Sequence, residues 1–304
     1  MKNVLVLGAC GFIGRHLVSR LLSETSVVGY DRVMPDYHAP YPFIQANFAH
    51  DEKFEDILLS YQIDTVYHLI SSTIPCTGTK HAAQEIEENI VPTVKLLEAM
   101  KNAGTKRIIF SSSGGTVYGE SKGKPHLCTD PVMPICSYGI QKIVIEQYMR
   151  LYDLLYDMKC LVARISNPYG ILPLQNRSQG IIPIFLSKLL SRQPITLYGE
   201  TIRDYIHISD TVEALIDLGR YEKEKRVFNI GTGVSTSLHD LLQMLEKAAK
   251  CKFVEIIKQD IRSCDVYENM LDISDTVREL NWRPKIFLEE GIKLTLDEMK
   301  KQND

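Results

Sequence analysis

The 304-residue chain lacks the features that mark several classes of protein. No run of 18 or more apolar residues is present, so no segment is predicted to span a membrane. The seven cysteines form no C-x-x-C pair, which argues against a disulfide framework or a metal site. The formal net charge is only −3, so a basic nucleic-acid-binding protein is not expected. We expect no signal peptide and a reducing, cytoplasmic environment.

Apolar residues are plentiful at 44%, enough for a large core. In the first half of the chain, short apolar runs alternate with segments of helical periodicity, which predicts a doubly wound parallel α/β sheet, the Rossmann arrangement. Strands are predicted at residues 4–7, 27–30, 43–44, 64–70, 107–110 and 161–165. Helices are predicted at residues 12–22, 52–61, 84–102 and 138–156, with Gly104 as a C-cap and Ser137 as an N-cap.

The pattern becomes less regular after Ser166, where prolines recur and the elements shorten. This change predicts two domains, residues 1–166 and residues 167–304, the second a smaller mixed α/β unit. Residues 227–230 are expected to return to the large sheet.

A glycine-rich loop follows the first predicted strand and opens the first helix. Its glycines, Gly8, Gly11 and Gly14, are typical of a turn that lets a pyrophosphate approach the backbone and the helix N-terminus. Asp31 ends the second strand about 20 residues later, where a carboxylate accepts hydrogen bonds from ribose hydroxyls and repels a 2′-phosphate. The pair predicts a dinucleotide site that prefers NAD to NADP, although Arg32 beside it would tolerate a phosphate.

Tyr138 and Lys142 lie four residues apart, on one face of a predicted helix. A phenol is a poor base at neutral pH, but a nearby ammonium and a cationic nicotinamide ring both favour the phenolate. Such a tyrosine can accept the proton of a sugar hydroxyl while hydride leaves the carbon. The run of three serines from Ser111 to Ser113 ends the fifth strand at the ligand-binding edge, where a hydroxyl can bind the reacting oxygen.

Together these motifs resemble the extended short-chain dehydrogenase/reductase family, and within it the NAD-dependent sugar-nucleotide epimerases. The resemblance runs almost from end to end. It rests on the glycine loop, the serine-ended strand, the Tyr138–Lys142 pair and a series of later segments: residues 116–119, 167–170, 203–207, 228–233 and 281–284.

The resemblance implies roles that spacing alone does not show. It implies a catalytic set of Ser113, Tyr138 and Lys142. It implies that NAD is bound by Gly8, Gly11, Phe12, Ile13, Gly14, Asp31, Asn47, Phe48, Leu69, Asn89, Ser111, Tyr138 and Lys142. It implies that the sugar nucleotide is bound by Thr73, Ser113, Asn167, Arg203, Arg262 and Asn269, with the two arginines on the diphosphate.

Several positions depart from the family pattern. The turn after the serines contains Gly114 and Gly115, one residue more than usual, so Ser113 is the preferred catalytic serine and Ser112 the alternative. Asn47 stands where an aspartate near the adenine is usual. Residues 70–73 replace the usual small-residue turn after the fourth strand.

The departures also bear on the reaction. Sugar-nucleotide dehydratases carry an Asp-Glu pair where this chain has Gly115 and Thr116, and the acidic or cysteine residues of related decarboxylases and epimerase–reductases are absent as well. Simple 4-epimerisation needs no extra acid or base, so it is the expected reaction, on UDP-glucose/galactose or UDP-GlcNAc/GalNAc. The alternatives are an NAD(P)-dependent reductase of a nucleotide-linked keto sugar and a non-catalytic NAD-binding protein.

Two further expectations follow from the resemblance. Asn269 occupies the place where a bulky tyrosine limits the sugar pocket in relatives, so its smaller side chain predicts that N-acetylated sugars are accepted. Helices near residues 89–103 and 138–156 resemble a pair that forms a dimer interface, which predicts a homodimer. The apolar surface for it would come from Tyr148, Met149, Leu151, Tyr152 and Leu155.

Overall fold

The computed structural model describes residues 1–75, 81–171 and 180–303. Its largest element is a parallel sheet of seven strands in the order β3-β2-β1-β4-β5-β6-β10. The strands are β1 (Asn3–Leu7), β2 (Ser26–Asp31), β3 (Phe43–Gln45), β4 (Thr65–His68), β5 (Arg107–Ser113), β6 (Lys159–Ile165) and β10 (Val227–Ile230). The doubly wound fold predicted from the alternation is confirmed.

Helices cover both faces of this sheet, because its strands are apolar on both sides. Along β1, Val4 and Val6 pack with the helices of one face, whereas Leu5 and Leu7 pack with those of the other. The first face carries α1 (Phe12–Leu21), α7 (Ile208–Arg220) and α9 (Ser274–Leu280), and the second carries α2 (Phe54–Ser60), α4 (Val91–Ala103) and α5 (Ser137–Tyr156).

The strand order reverses between β1 and β4. The chain leaves β1 toward β2 on one side, and it leaves β4 toward β5 on the other. In sheets of this kind a crevice forms beyond the carboxyl ends of the strands at the reversal, and ligands bind there. The glycine loop, Asp31 and the serines of β5 all lie at this edge.

Most of the later chain forms a smaller unit beside the same edge. It contains a four-stranded sheet, a two-stranded sheet and three helices around a separate apolar cluster. Its elements are β7 (Asn167–Tyr169), β8 (Ile195–Tyr198), β9 (Ile202–His207), β11 (Ser235–Ser237), β12 (Ile256–Gln259), β13 (Glu268–Asn269), α6 (Ile181–Leu190), α8 (Leu238–Ala249) and α10 (Leu288–Asn303). Residues 227–230 return to the large sheet as β10, beside β6.

Two helix ends test the capping predictions. Gly104 ends α4 in the left-handed conformation, with φ of 77°, as predicted. The prediction that Ser137 caps α5 is wrong. Ser137 is the first helical residue, Cys136 occupies the cap position without a side-chain bond, and the Ser137 hydroxyl donates to Glu85 instead.

The helix expected at residues 84–102 begins earlier and is not uniform. It consists of α3 (Ala82–Glu85), a π-helical turn (Ile86–Ile90) and α4. Pro92 lies in the first turn of α4 and has no N–H, so the Glu88 carbonyl cannot receive an ordinary helical bond. The chain widens here, and the Val91 N–H bonds the Ile86 carbonyl five residues back.

Candidate active site

The glycine loop is built around the Gly8 carbonyl. Gly11 donates its N–H to that oxygen at 3.0 Å, and a Cβ on Gly14 would lie 1.9 Å from it. Gly8 itself has φ of 86°, a conformation that favours glycine. The first turn of α1, with Phe12, Ile13 and Gly14, therefore approaches the end of β1 closely and presents its amides, which lack intrahelical acceptors, at the edge of the crevice.

Asp31 holds the second wall of the crevice and is tied to the glycine loop. Its Oδ2 accepts the Cys10 N–H at 3.0 Å, and its Oδ1 accepts the Val33 N–H at 3.3 Å. A carboxylate has about four acceptor positions, so capacity for two ribose hydroxyls remains. The Cys10 thiol is an unreactive neighbour, because burial and the charge of Asp31 raise its pKa to about 11.

Between these walls lies a groove of about 360 Å³. Gly8, Gly11, Asp31, Asn47, Phe48 and Leu69 all line it. Asn47 is exposed and accepts the Ala49 N–H through its side chain at 3.2 Å. The Phe48 ring is buried against Phe54 and His68, with ring centroids 5.4 Å and 5.0 Å away, so its contribution to the groove is one of shape.

Ser113, Tyr138 and Lys142 meet where β5 ends beside the first turn of α5. The Ser113 hydroxyl lies beside the Tyr138 phenol, and the Lys142 ammonium lies 5.3 Å from the centre of the Tyr138 ring. Burial raises the pKa of Tyr138 to about 12, while the neighbouring Ser113 hydroxyl opposes that rise. Burial also lowers the pKa of Lys142 to about 7, opposed by the charge of Glu146.

The three serines of β5 face different partners. The Ser111 carbonyl accepts a bond from Lys142 Nζ at 2.8 Å and so anchors the ammonium. Ser112 points away from Tyr138 and donates to Glu146 at 2.5 Å. The structure therefore places Ser113, rather than Ser112, beside the phenol.

Asn89 lies on the π-helical turn and is buried. Its amide accepts the Ser72 N–H at 2.8 Å, and it donates to Ser72 Oγ and to Gln141 at 2.8 Å and 3.0 Å. It thereby joins the turn after β4 to α5. Gln141 also donates to Glu85, a buried carboxylate that the sequence reasoning missed, because no local pattern links residues so far apart.

Asn167 lies near the turn that follows Ser113, and Thr73 lies in the turn after β4. Asn167, on β7, donates to the Asp204 carbonyl at 2.9 Å, and its Oδ1 faces the space above Gly115. A Cβ on Gly115 would lie 3.8 Å from that Oδ1 and 3.9 Å from Ser113 Oγ. Thr73 is buried in the turn after β4, where its carbonyl accepts the Ser71 hydroxyl at 3.0 Å.

The two arginines form a pair of cations on β9 and on the segment before β13. Arg203 donates to the carbonyls of Ile202, Val266 and Tyr267, at 2.9, 2.6 and 3.0 Å. Burial lowers the pKa of Arg203, and the charge of Arg262 lowers it further. Arg262 is ion-paired with Asp265 at 2.7 Å. Because the charge of Arg262 disfavours the charged form of Arg203, a bound dianion would stabilise the two cations together.

Asn269 is fully buried on β13, in register with Arg203 on β9. Its amide donates to the Gly114 carbonyl at 2.9 Å, so it supports the turn that follows Ser113. Its Oδ1 is buried, with no hydrogen-bond partner among the described residues.

Comparison with known proteins identifies the family. The model of the NAD dependent epimerase/dehydratase family matches residues 4–231. The chain belongs to this family.

Two solved structures and one curated relative illustrate its neighbours. The UDP-glucose 4-epimerase of Thermotoga maritima, crystallised with UDP-glucose, has a TM-score of 0.93 and 30% identity over 100% of both chains. The UDP-glucose 4-epimerase of Thermus thermophilus, in complex with NAD, has a TM-score of 0.90 and 28% identity, covering 98% of this chain and 99% of that one. A dTDP-4-dehydro-6-deoxyglucose reductase of Escherichia coli is 35% identical over 96% of this chain and 95% of its own.

NAD is the cofactor of this family, and the crevice of this chain fits it. The close approach of Gly14 to Gly8 leaves no space for a side chain, as a pyrophosphate-binding turn requires. Asp31, tied to this loop through the Cys10 N–H, would accept hydrogen bonds from a ribose. No group of three or more His, Cys, Asp or Glu that could hold a metal ion occurs among the described residues. In the same part of the chain, no helix is long and apolar enough to cross a bilayer.

Proposed function

We propose that the protein catalyses the 4-epimerisation of a UDP-linked hexose through a transient 4-keto sugar. The observation that carries the proposal is the surroundings of Ser113 and Tyr138. Gly115 and the amide of Asn167 lie beside them, and Gly115 and Thr116 stand where the acidic pair of a dehydratase would be expected. In this proposal residues 1–166 hold NAD and residues 167–304 mainly hold the sugar nucleotide.

The chain's own residues perform the proton transfers. NAD, when bound, would supply a site that accepts a hydride from C4 and returns it. Tyr138 takes the proton of the C4 hydroxyl, while Ser113 binds the same oxygen and holds the phenol in line. When charged, Lys142 would favour the phenolate, as the neighbouring Ser113 hydroxyl does, against the effect of burial on Tyr138. After the keto sugar has rotated to present its opposite face, Tyr138 returns the proton to the C4 oxygen, which gives the other epimer.

The diphosphate must stay bound while the sugar turns. Arg203 has five N–H donors, of which three are committed to backbone carbonyls, so it would offer the rest from a fixed position. Arg262 is more exposed and stacks 4.8 Å from the centre of the Tyr198 ring, so it would close on the diphosphate by exchanging Asp265 for phosphate oxygens. Asn269 is smaller than a tyrosine, and on that ground we extend the proposal to UDP-GlcNAc.

A second candidate is reduction of a nucleotide-linked 4-keto sugar, favoured by the similarity to the Escherichia coli reductase. The two reactions share the Ser113–Tyr138–Lys142 set. They differ in the use of cofactor, because a reductase consumes an added nicotinamide in proportion to product, whereas an epimerase regenerates it in each turnover.

Proton NMR of the purified protein with UDP-GlcNAc, with no NAD added, tests the proposal. Growth of the UDP-GalNAc anomeric signal to a plateau would support epimerisation, bound cofactor and hexosamine acceptance together. Added NAD, UDP-glucose and dTDP-glucose form the further arms, and Tyr138→Phe is the inactive control. Inactivity in every arm, with turnover of dTDP-4-dehydro-6-deoxyglucose when NADPH is added, would reject the epimerase in favour of the reductase.

We also propose a cytoplasmic homodimer in which α5 and the helix formed by α3, the π-helical turn and α4 pack against a second copy. On α5, Tyr148, Leu151 and Leu155 are exposed, whereas Met149 and Tyr152 pack into the core and cannot contribute to an interface. Light scattering after size-exclusion chromatography tests this. Leu151→Glu should yield monomer, and the wild type should elute as a dimer.

A further inference from the structure

A buried ion pair lies behind the catalytic residues. Glu146 on α5 and Arg164 on β6 are 5% and 6% exposed, and their closest contact is 2.7 Å. The Arg164 Nε also lies 3.2 Å from both carboxylate oxygens of Glu146. Two further bonds, to the Tyr118 hydroxyl at 2.8 Å and the Cys128 carbonyl at 3.3 Å, complete the arginine's surroundings.

The Oε1 atom of Glu146, which also contacts Arg164, accepts the hydroxyl of Ser112 at the end of β5, at 2.5 Å. Ser112 lies between Ser111, whose carbonyl anchors Lys142, and Ser113, whose hydroxyl lies beside Tyr138. The carboxylate therefore holds Ser112, the residue that connects the Ser111 carbonyl, which binds Lys142, to Ser113, which lies beside Tyr138.

Glu146 also lies one helical turn after Lys142, on the same buried face of α5. The groups that surround Lys142 are Tyr138 and Glu146 on α5, the Ser111 carbonyl and Phe110 on β5, and His68 on β4. Burial lowers the pKa of His68 to about 3, so this histidine is neutral at working pH. Glu146 is thus the carboxylate that favours the charged form of Lys142.

We propose that Glu146 is a positioning residue for catalysis, which holds the serine end of β5 in place and favours the charged form of Lys142, with Arg164 fixing its carboxylate. A structural role alone would not require charge here, since apolar replacement of a buried ion pair is often neutral or stabilising. A carboxylate beside the ammonium is required if Lys142 must remain charged inside the protein.

The test compares Glu146→Gln with Asp153→Asn in the holoenzyme. Asp153 lies on the same helix and pairs with Arg226 at 2.7 Å, away from β5's serine end, so it is the matched control. We expect Glu146→Gln to lower kcat at least about tenfold with KM within about threefold, and the control to stay within about threefold on both. Because the loss of the carboxylate lowers the pKa of Lys142, activity should also fall at a lower pH on the alkaline side.

A titration that needs no turnover accompanies the kinetics. The Lys142 side chain, followed by the NMR shift of its ¹³Cε and assigned with Lys142→Arg, should lose its proton at lower pH in Glu146→Gln than in wild type, because the neighbouring carboxylate is gone. Unchanged kcat, pH profile and Lys142 titration in folded Glu146→Gln would overturn the proposal, as would losses equal to those of the control. The kinetic arm rests on the proposed function. If the wild type turned over no sugar nucleotide, that function would fail while the titration still decided the role of Glu146.

A double variant covers the case in which Glu146→Gln does not fold. Glu146→Leu with Arg164→Met removes both buried charges. If the double variant retains the wild-type kcat and titration, the positioning role is rejected. If it folds and binds NAD but shows the losses expected of Glu146→Gln, the role is supported.

Discussion

The Ser113 hydroxyl lies beside the Tyr138 phenol at the carboxyl end of β5, while the adjacent Ser112 donates to Glu146 on the other side of the strand. Successive residues of a strand point to opposite faces, so only one of two neighbouring serines can meet the phenol. The longer turn at Gly114 and Gly115 left two candidates for the catalytic serine, Ser112 and Ser113. The structure favours Ser113, and the kinetics of alanine variants can test the choice.

Exchange of the two serines for alanine should separate their roles. Ser113→Ala removes a group that binds the reacting oxygen, so kcat should fall at least about a hundredfold. Ser112→Ala leaves the Tyr138 contact intact and should cost less than about tenfold. Steady-state kinetics of both variants, with NAD content checked by absorbance, makes the comparison. A larger loss in Ser112→Ala would contradict the assignment of Ser113.

Asp31 should determine the choice between NAD and NADP. Asp31→Asn keeps an acceptor for the Cys10 N–H but removes the charge that repels a 2′-phosphate. We expect the ratio of NADP to NAD affinity to rise at least about tenfold, which corresponds to about 1.4 kcal/mol. Calorimetric titration of the apoprotein measures both affinities, and Glu52→Gln, at an exposed position, is the control. An unchanged ratio would show that Asp31 only supports the loop.

His207 should make stability depend on pH. Burial lowers its pKa to about 4, with a further contribution from the charge of His16, and its neutral ring accepts the Ser209 N–H at the start of α7. Since the unfolded chain binds this proton at higher pH, the stability present above pH 6.5 is lost as the pH falls from about 6.5 toward 4, by up to about 1.4 kcal/mol per pH unit.

Urea unfolding at pH 7.0, 5.5 and 4.5 measures this effect. His207→Asn retains a capping acceptor but does not titrate, so its free energy of unfolding should fall less steeply on acidification than that of wild type. His239→Asn, at an exposed position on α8, should follow the wild type. Parallel curves for wild type and His207→Asn would refute the assignment.

The parts of the fold that follow a local period could be predicted from the sequence. β1, α1 and the glycine loop lie within a few residues of their expected bounds, because buried strands and amphipathic helices have distinct patterns. The Tyr138–Lys142 pair likewise depends only on helical spacing.

Other features depend on residues far apart in the chain. The π-helical turn arises from the missing N–H of Pro92, but its consequence, the inward position of Asn89, appears only when Ser72 and Gln141 are in place. The Glu146–Arg164 pair joins a helix to a strand and has no local signature. The spacing of Glu146 from Lys142 would have placed it on the same helix face, but not against Ser112.

Asn269 provides the test of sugar size. Its amide supports the Gly114 carbonyl, and its buried Oδ1 has no hydrogen-bond partner among the described residues, whereas a tyrosine ring at this position would occupy a much larger volume. Asn269→Tyr should therefore lower kcat/KM for UDP-GlcNAc at least about a hundredfold, because the acetamido group has no room, and lower that for UDP-glucose less than about tenfold.

A small residue at position 269 separates pocket size from support of the turn. Asn269→Ala enlarges the pocket but removes the bond to Gly114. If size governs the choice of sugar, Asn269→Ala keeps the wild-type ratio of kcat/KM for the two sugars, whatever its absolute rate. The contrary result would be that Asn269→Tyr and Asn269→Ala each lower kcat/KM for UDP-GlcNAc and UDP-glucose equally. Asn269 would then act only by supporting the turn that follows Ser113, and the proposed acceptance of N-acetylated sugars would lose its structural basis.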